Sequence, residues 1–148
     1  MIDRNREAAL REAIELFFFS YRAFTARPDA ILRRRGLSRV HHRILYFVGR
    51  EPGLGVNALL ETLGVSKQAL NAPLRRLVEL DLVESRAAPA DGRRRELRLT
   101  AEGERLERQL TGTQMEQLAA VLDAAGRTAE AGWRAVMARM PTSSRTQA

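Results

Sequence analysis

Gly64-Val65-Ser66-Lys67-Gln68-Ala69-Leu70-Asn71-Ala72-Pro73-Leu74-Arg75-Arg76-Leu77, with Leu82-Val83-Glu84, Asp91-Gly92-Arg93-Arg94-Arg95 and Leu97-Arg98-Leu99-Thr100 behind it, decides the fold of this chain. Asn57 to Leu63 reads as a short helix stopped by Gly64, a residue free to take the left-handed conformation of a sharp helix end. Ser66 is placed to cap a second helix. There Leu70, Leu74 and Leu77 recur at helical spacing and face inward. Lys67, Gln68, Asn71, Ala72 and Arg75 are left on the outer side, with Arg76 beside them. Two helices joined this way make a helix-turn-helix with a polar outer face. Two short strands follow, and the turn between them is loaded with arginine, which makes a wing. The pattern points to a helix for the major groove of duplex DNA, with a basic hairpin beside it.

Outward from this centre, helices are predicted almost everywhere. Leu10, Ile14, Phe17, Phe18, Tyr21 and Phe24 recur at three- and four-residue steps, as on an amphipathic helix. Pro28 interrupts it and biases Arg27 away from helix, and Ile31 and Leu32 carry a short continuation to Gly36. Val40, Ile44, Leu45 and Val48 define another helix, closed by Glu51-Pro52-Gly53. Leu97 and Leu99 alternate with Glu96 and Arg98, a strand with one wet face. Thr100 caps a long helix carrying Leu106, Leu110, Leu118, Val121 and Leu122. Ala125-Gly126-Arg127 breaks the pattern, and Trp133, Val136, Met137 and Met140 mark a last helix ended by Pro141. The expected fold class is mainly α with a small β-wing. Residues 39–100 form the winged helix-turn-helix lobe, residues 1–36 and 101–140 the flanking helices, and residues 141–148 a disordered tail.

A chain of 148 residues holds a single core. Its 25 basic against 18 acidic residues give a net charge of +7, and the pI of about 11.2 favours polyanionic partners, nucleic acid foremost. No cysteine is present, which excludes disulfides, thiol switches and zinc–thiolate sites. No apolar run is long enough to span a membrane, and Met1-Ile2-Asp3-Arg4-Asn5 does not open a signal peptide. A cytoplasmic, nucleoid-associated protein is expected. No nucleophile, base or metal set converges, and Gly53-Leu54-Gly55 lacks the rest of a phosphate loop, so an enzyme is not expected and no cofactor or metal is implied.

The ordered fragments resemble the MarR family of bacterial winged-helix regulators over nearly the whole chain. Gly36-Leu37-Ser38 followed by Arg43-Ile44-Leu45 is similar to the family's second-helix start. Asp91-Gly92-Arg93 is similar to its Asp-x-Arg wing step, and Leu99-Thr100 with Gly103 to its strand-to-long-helix junction. Pro73 departs from the pattern: the family usually carries an apolar residue with a free amide there. The resemblance implies that the terminal helices, whose apolar stripes the small lobe cannot cover, pack against their copies in a homodimer. A two-fold dimer reading adjacent major grooves requires half-sites about one helical turn apart, hence a pseudo-palindromic operator. The resemblance further implies that the residue matching Arg93 enters or lines the minor groove and that Asp91 orients it. It also implies a small aromatic or phenolic effector bound between the dimerisation helices and the lobe. Phe17, Phe18, Tyr21, Arg22, His41 and His42 are its candidates, and a dimer core is the alternative use of the aromatic residues.

Each polar residue suggests its own chemistry. Asn71 and Gln68 offer the donor–acceptor pair that matches the edge of adenine. Arg75 reaches guanine or a phosphate. Ser66 and Lys67, at the helix start, suit phosphate contact. Pro73, inside the helix, costs roughly 3 kcal/mol or kinks it. Arg93 suits a narrow minor groove of enhanced negative potential, while Arg94 and Arg95 clamp phosphates or face along the strand. Arg33-Arg34-Arg35 either supplies flanking phosphate contacts or pairs with acids such as Glu7 and Asp29. His41 and His42 point about 100° apart on a helix and cannot chelate one ion. The expected function is a sequence-specific transcriptional regulator, in the repressor sense. Its alternative is a ligand-blind or non-specific architectural DNA-binding protein, for which salt dependence is the discriminant.

Overall fold

The computed structural model describes residues 1–140, so the tail predicted at 141–148 lies outside the described residues. In chain order the elements are α1 (Arg4–Arg34), α2 (Arg39–Arg50), β1 (Leu54–Gly55), α3 (Val56–Leu63), α4 (Lys67–Glu79), β2 (Val83–Ala87), β3 (Arg95–Leu99), α5 (Ala101–Ala125) and α6 (Arg127–Ala138). The three strands form one antiparallel sheet in the order β1-β3-β2, with Leu54 opposite Leu97 and Val83 opposite Leu99. This is the mainly α architecture with a small wing that the sequence predicts. The exception is β1, whose two residues are too few to show a strand period.

One apolar core holds the lobe together. Ile44, Leu45 and Val48 of α2, Leu59 of α3, Leu70 and Leu77 of α4, and Val83 and Leu97 of the sheet are buried in it. Leu32 from the end of α1 and Leu106 and Leu110 from the first turns of α5 close it. A fully buried leucine of this kind contributes about 1.5–3 kcal/mol. Beyond this lid, α1 and the far part of α5 carry apolar side chains into solvent, as does α6: Ile14, Phe17, Phe18, Phe19, Val121, Trp133 and Val136 are exposed.

Two helical expectations need correction. Pro28 does not interrupt the first helix: α1 runs unbroken through it, Arg27 included. The missing amide of Pro28 would leave the carbonyl of Phe24 unpaired, and the Gln114 side chain on α5 donates Nε2–H to that carbonyl at 3.4 Å. Pro28 is itself buried, and the Thr25 hydroxyl donates to the Tyr21 carbonyl one turn earlier. Tertiary packing and a side-chain donor thus replace what proline removes. Met140, assigned to the last helix, lies just past its end.

Candidate nucleic-acid interface

The helix-turn-helix is built by local capping. Gly64 adopts φ 66°, ψ 33°, the left-handed conformation predicted for it, and its amide and that of Val65 return to the Leu60 carbonyl at 2.9 and 3.3 Å. Ser66 accepts from the Ala69 amide at 3.1 Å and starts α4. Leu70 and Leu77 are buried and Leu74 half-buried, which fixes the roll of α4. Ser66, Lys67, Gln68, Asn71, Ala72, Arg75 and Arg76 are consequently exposed together. Arg75 lies 3.9 Å from Glu79, an exposed pair that holds it only loosely. The helix is continuous through Pro73, which is half-buried and gives no amide to the carbonyl four residues earlier.

The wing is a hairpin whose register runs from Val83–Leu99 to Ala87–Arg95. Its turn closes with the Ala88 amide donating to the Arg94 carbonyl at 2.8 Å. The Asp91 carboxylate accepts from the backbone amide of Arg93 at 3.0 Å. Asp91 therefore shapes the turn that carries Arg93, and no ion pair joins the two among the described residues. Arg95 reaches across from β3 to β2: its guanidinium donates to the Ser85 hydroxyl at 3.1 Å and to the Ser85 carbonyl at 2.6 Å. Arg94 reaches back toward β1, where a Cβ on Gly55 would stand 3.6 Å from its Nη2. Arg93 is exposed at the turn, and its guanidinium has no hydrogen-bond or ion-pair partner among the described residues.

The residues assigned to an effector are less united. Phe17, Phe18 and Arg22 are exposed along α1. Tyr21 leans on α2, its hydroxyl accepting from Arg43 Nη2 at 2.8 Å and its ring lying under the Arg39 guanidinium at 5.5 Å. The sequence reading missed Arg39 as a partner of Tyr21. Arg39 and Arg43 stand four residues apart on one helix face, but nothing local ties that face to Tyr21. His41 Nδ1 accepts from the Ser38 amide at 3.0 Å and closes a capping box. His42 is buried and meets the Thr111 hydroxyl at 3.1 Å through Nε2. Burial lowers the pKa of both rings below 6.5; the charges of Glu107 and Asp29 oppose this at His42 while Arg43 adds to it, and at His41 the Ser38 bond opposes it while Arg76 adds to it. Arg33, Arg34 and Arg35 do not pair with Glu7 or Asp29. Arg11 holds Glu7 and Arg39 holds Asp29, at 3.2 and 2.9 Å.

A capped helix pair presenting a polar helix face beside an arginine-tipped hairpin is a winged helix-turn-helix. The comparisons with known proteins narrow this class. The MarR family model matches residues 35–94. The HTH-type transcriptional regulator PetP of Rhodobacter capsulatus is 49% identical over 131 residues, covering 88% of this chain and 79% of that protein. The chain belongs to the MarR family of transcriptional regulators. Among solved structures, FabT of Streptococcus pneumoniae in complex with DNA matches with a TM-score of 0.79 at 15% identity, over 88% of this chain and 94% of that one. NadR in complex with 4-hydroxyphenylacetate matches with a TM-score of 0.71 at 23% identity, over 84% and 88%. These two likenesses establish the fold. No helix among the described residues is long and apolar enough to cross a membrane.

Proposed function

We propose that this regulator is a homodimeric repressor that reads a pseudo-palindromic operator, with α4 in the major groove and the wing beside it. The observation that carries this is the joint exposure of Lys67, Gln68, Asn71, Ala72, Arg75 and Arg76 on a helix anchored by Leu70 and Leu77, next to a wing turn that holds Arg93 out. Asn71 and Gln68 read base edges; Ser66, Lys67, Arg94 and Arg76 contact phosphates; Arg93 enters the minor groove. The exposed apolar residues of α1, α5 and α6 support dimerisation, because a lone chain leaves these large side chains in water. A small aromatic or phenolic effector acts where Tyr21, Arg22, His41 and His42 join α1 to the lobe. It biases the distance between two recognition helices in proportion to its differential affinity for the two spacings.

The test is a mobility-shift titration on duplexes selected from a random pool. Two chains per duplex are expected. Arg93→Ala is expected to cost about 1–3 kcal/mol of binding, Asn71→Ala to relax preference at one base position per half-site, and Lys67→Ala to weaken all duplexes equally. Aromatic acids and phenols added to the same titration are expected to release the complex. Undiminished binding by Arg93→Ala, with circular dichroism unchanged, removes the wing from this reading. Equal affinity for selected and random duplexes replaces it with a non-specific architectural role.

A further inference from the structure

We propose that Arg33, Arg34 and Arg35, at the corner where α1 turns into α2, form a second phosphate-binding surface that grips the backbone of the duplex outside the contacts of α4 and the wing. This rests on the DNA-binding reading above and adds a surface which that reading leaves unused.

The three side chains are consecutive and exposed, and none of them makes an ion pair among the described residues. The acids that could have received them are occupied, Glu7 by Arg11 and Asp29 by Arg39. The carbonyl end of α1 accounts for a cation in its last turn, where Arg33 and Arg34 stand. It does not account for Arg35, which lies beyond the helix, nor for three adjacent like charges left to repel one another in solvent.

Their position supplies the partner. Leu37 and Ser38 carry the chain from this corner into the first turn of α2, where His41 sits. His41 feels the positive charge of Arg76, which belongs to the exposed side of α4, and α2 packs against α4. Arg75 and Arg76 on α4 and Arg33, Arg34 and Arg35 at the corner are all exposed cations, and α1 and α4 both pack against α2. Beside the corner a cleft of about 350 Å³ is lined by Arg33, Leu37, Ser38, Arg39 and Val40, with Asp29, whose carboxylate is taken up by Arg39. A polyanion long enough to pass from α4 to this corner finds exposed guanidinium groups there. Contacts of this kind read charge and carry no base identity.

The experiment uses the full chain and two variants, Arg33→Ala/Arg34→Ala/Arg35→Ala and Arg33→Lys/Arg34→Lys/Arg35→Lys. Each is titrated against the pool-selected duplex and a scrambled duplex of equal length, from 50 to 200 mM salt, with thermal unfolding measured alongside. The alanine variant is expected to lose about tenfold on both duplexes, with the slope of log affinity against log salt shallower by about 0.9 for each phosphate released. The lysine variant is expected to stay close to the parent in affinity and slope. The proposal is overturned if the alanine variant binds with parental affinity and slope, or if its loss is confined to the selected duplex. It is equally overturned if both variants lose affinity together with thermal stability, which marks a structural role. A parent that binds neither duplex overturns the DNA-binding reading itself, and this surface with it.

Discussion

Gly103 stands in the first turn of α5, and a Cβ built on it would lie 1.9 Å from the Leu82 carbonyl oxygen. That carbonyl is backbone, held at 3.1 Å by the Thr100 amide, so it has little room to yield. Thr100 works at the same joint from both sides. Its hydroxyl accepts from the Gly103 amide at 3.0 Å and donates to the carbonyl of Asp81, itself in the left-handed region at φ 58°. The junction between wing and long helix is therefore a close backbone approach sealed by a cap, which accounts for threonine at 100 and glycine at 103 in this chain. Gly103→Ala is expected to lower the unfolding free energy by about 2 kcal/mol or more, since overpacking a rigid contact forces backbone movement. Chemical denaturation checks this; a variant within about 0.5 kcal/mol of the parent means that the two segments separate readily.

At the scale of elements, α4 is the helix with the clearest internal conflict. Pro73 lies in its seventh position and gives no amide to the carbonyl of Ala69, yet Leu70 and Leu77 anchor both sides of it in the core. Burial of these leucines offsets a local cost of roughly 3 kcal/mol. Pro73→Ala is expected to stabilise the protein by about 1–2 kcal/mol, the gain being reduced by lost packing and by the freer unfolded chain. A lower midpoint in the same denaturation experiment refutes the expectation that proline is tolerated there at a cost. The two prolines also show what a sequence makes legible. The Gly64 stop, the Ser66 cap, the Thr100 cap and the arginine-rich turn of the wing depend on neighbours within a few residues, and all are legible in the sequence. The continuity of α1 through Pro28 depends on Gln114, far along the chain, and the Tyr21–Arg39–Arg43 contact depends on how α1 lies on α2. No local pattern announces either. The same holds for the candidate site: the exposed face of α4 follows from its leucine spacing, whereas the diversion of Arg95 to Ser85 becomes visible only once the strands are paired.

In the molecule as a whole, α1 and α5 form the part that leaves the lobe, and α2 is the lobe helix packed against both. His42 sits at this meeting point. It bonds Thr111 of α5, and its charge-bearing neighbours are Glu107 of α5, Asp29 of α1 and Arg43 of α2. Burial is the largest influence and disfavours the charged ring, lowering its pKa in the folded chain below the 6.5 of an exposed histidine despite the two carboxylates. The unfolded chain takes up a proton from about pH 6.5 downward, while the folded chain resists until a lower pH. The unfolded state therefore binds more protons across that interval. The contribution is complete above the unfolded value, and it is lost as pH falls toward the folded one. His41 is lowered in the same direction, chiefly by burial. Thermal unfolding is expected to move to lower temperature between pH 7.5 and pH 5.5, a window chosen around the histidine value and above the ordinary carboxylate range. His42→Gln, which cannot take the proton, is expected to show a smaller decrease across that window even where it starts from a lower midpoint at pH 7.5. If the parent's midpoint does not change over the window, or His42→Gln keeps the full parental slope, protonation at the joint between lobe and long helices does not govern the acid sensitivity of this fold.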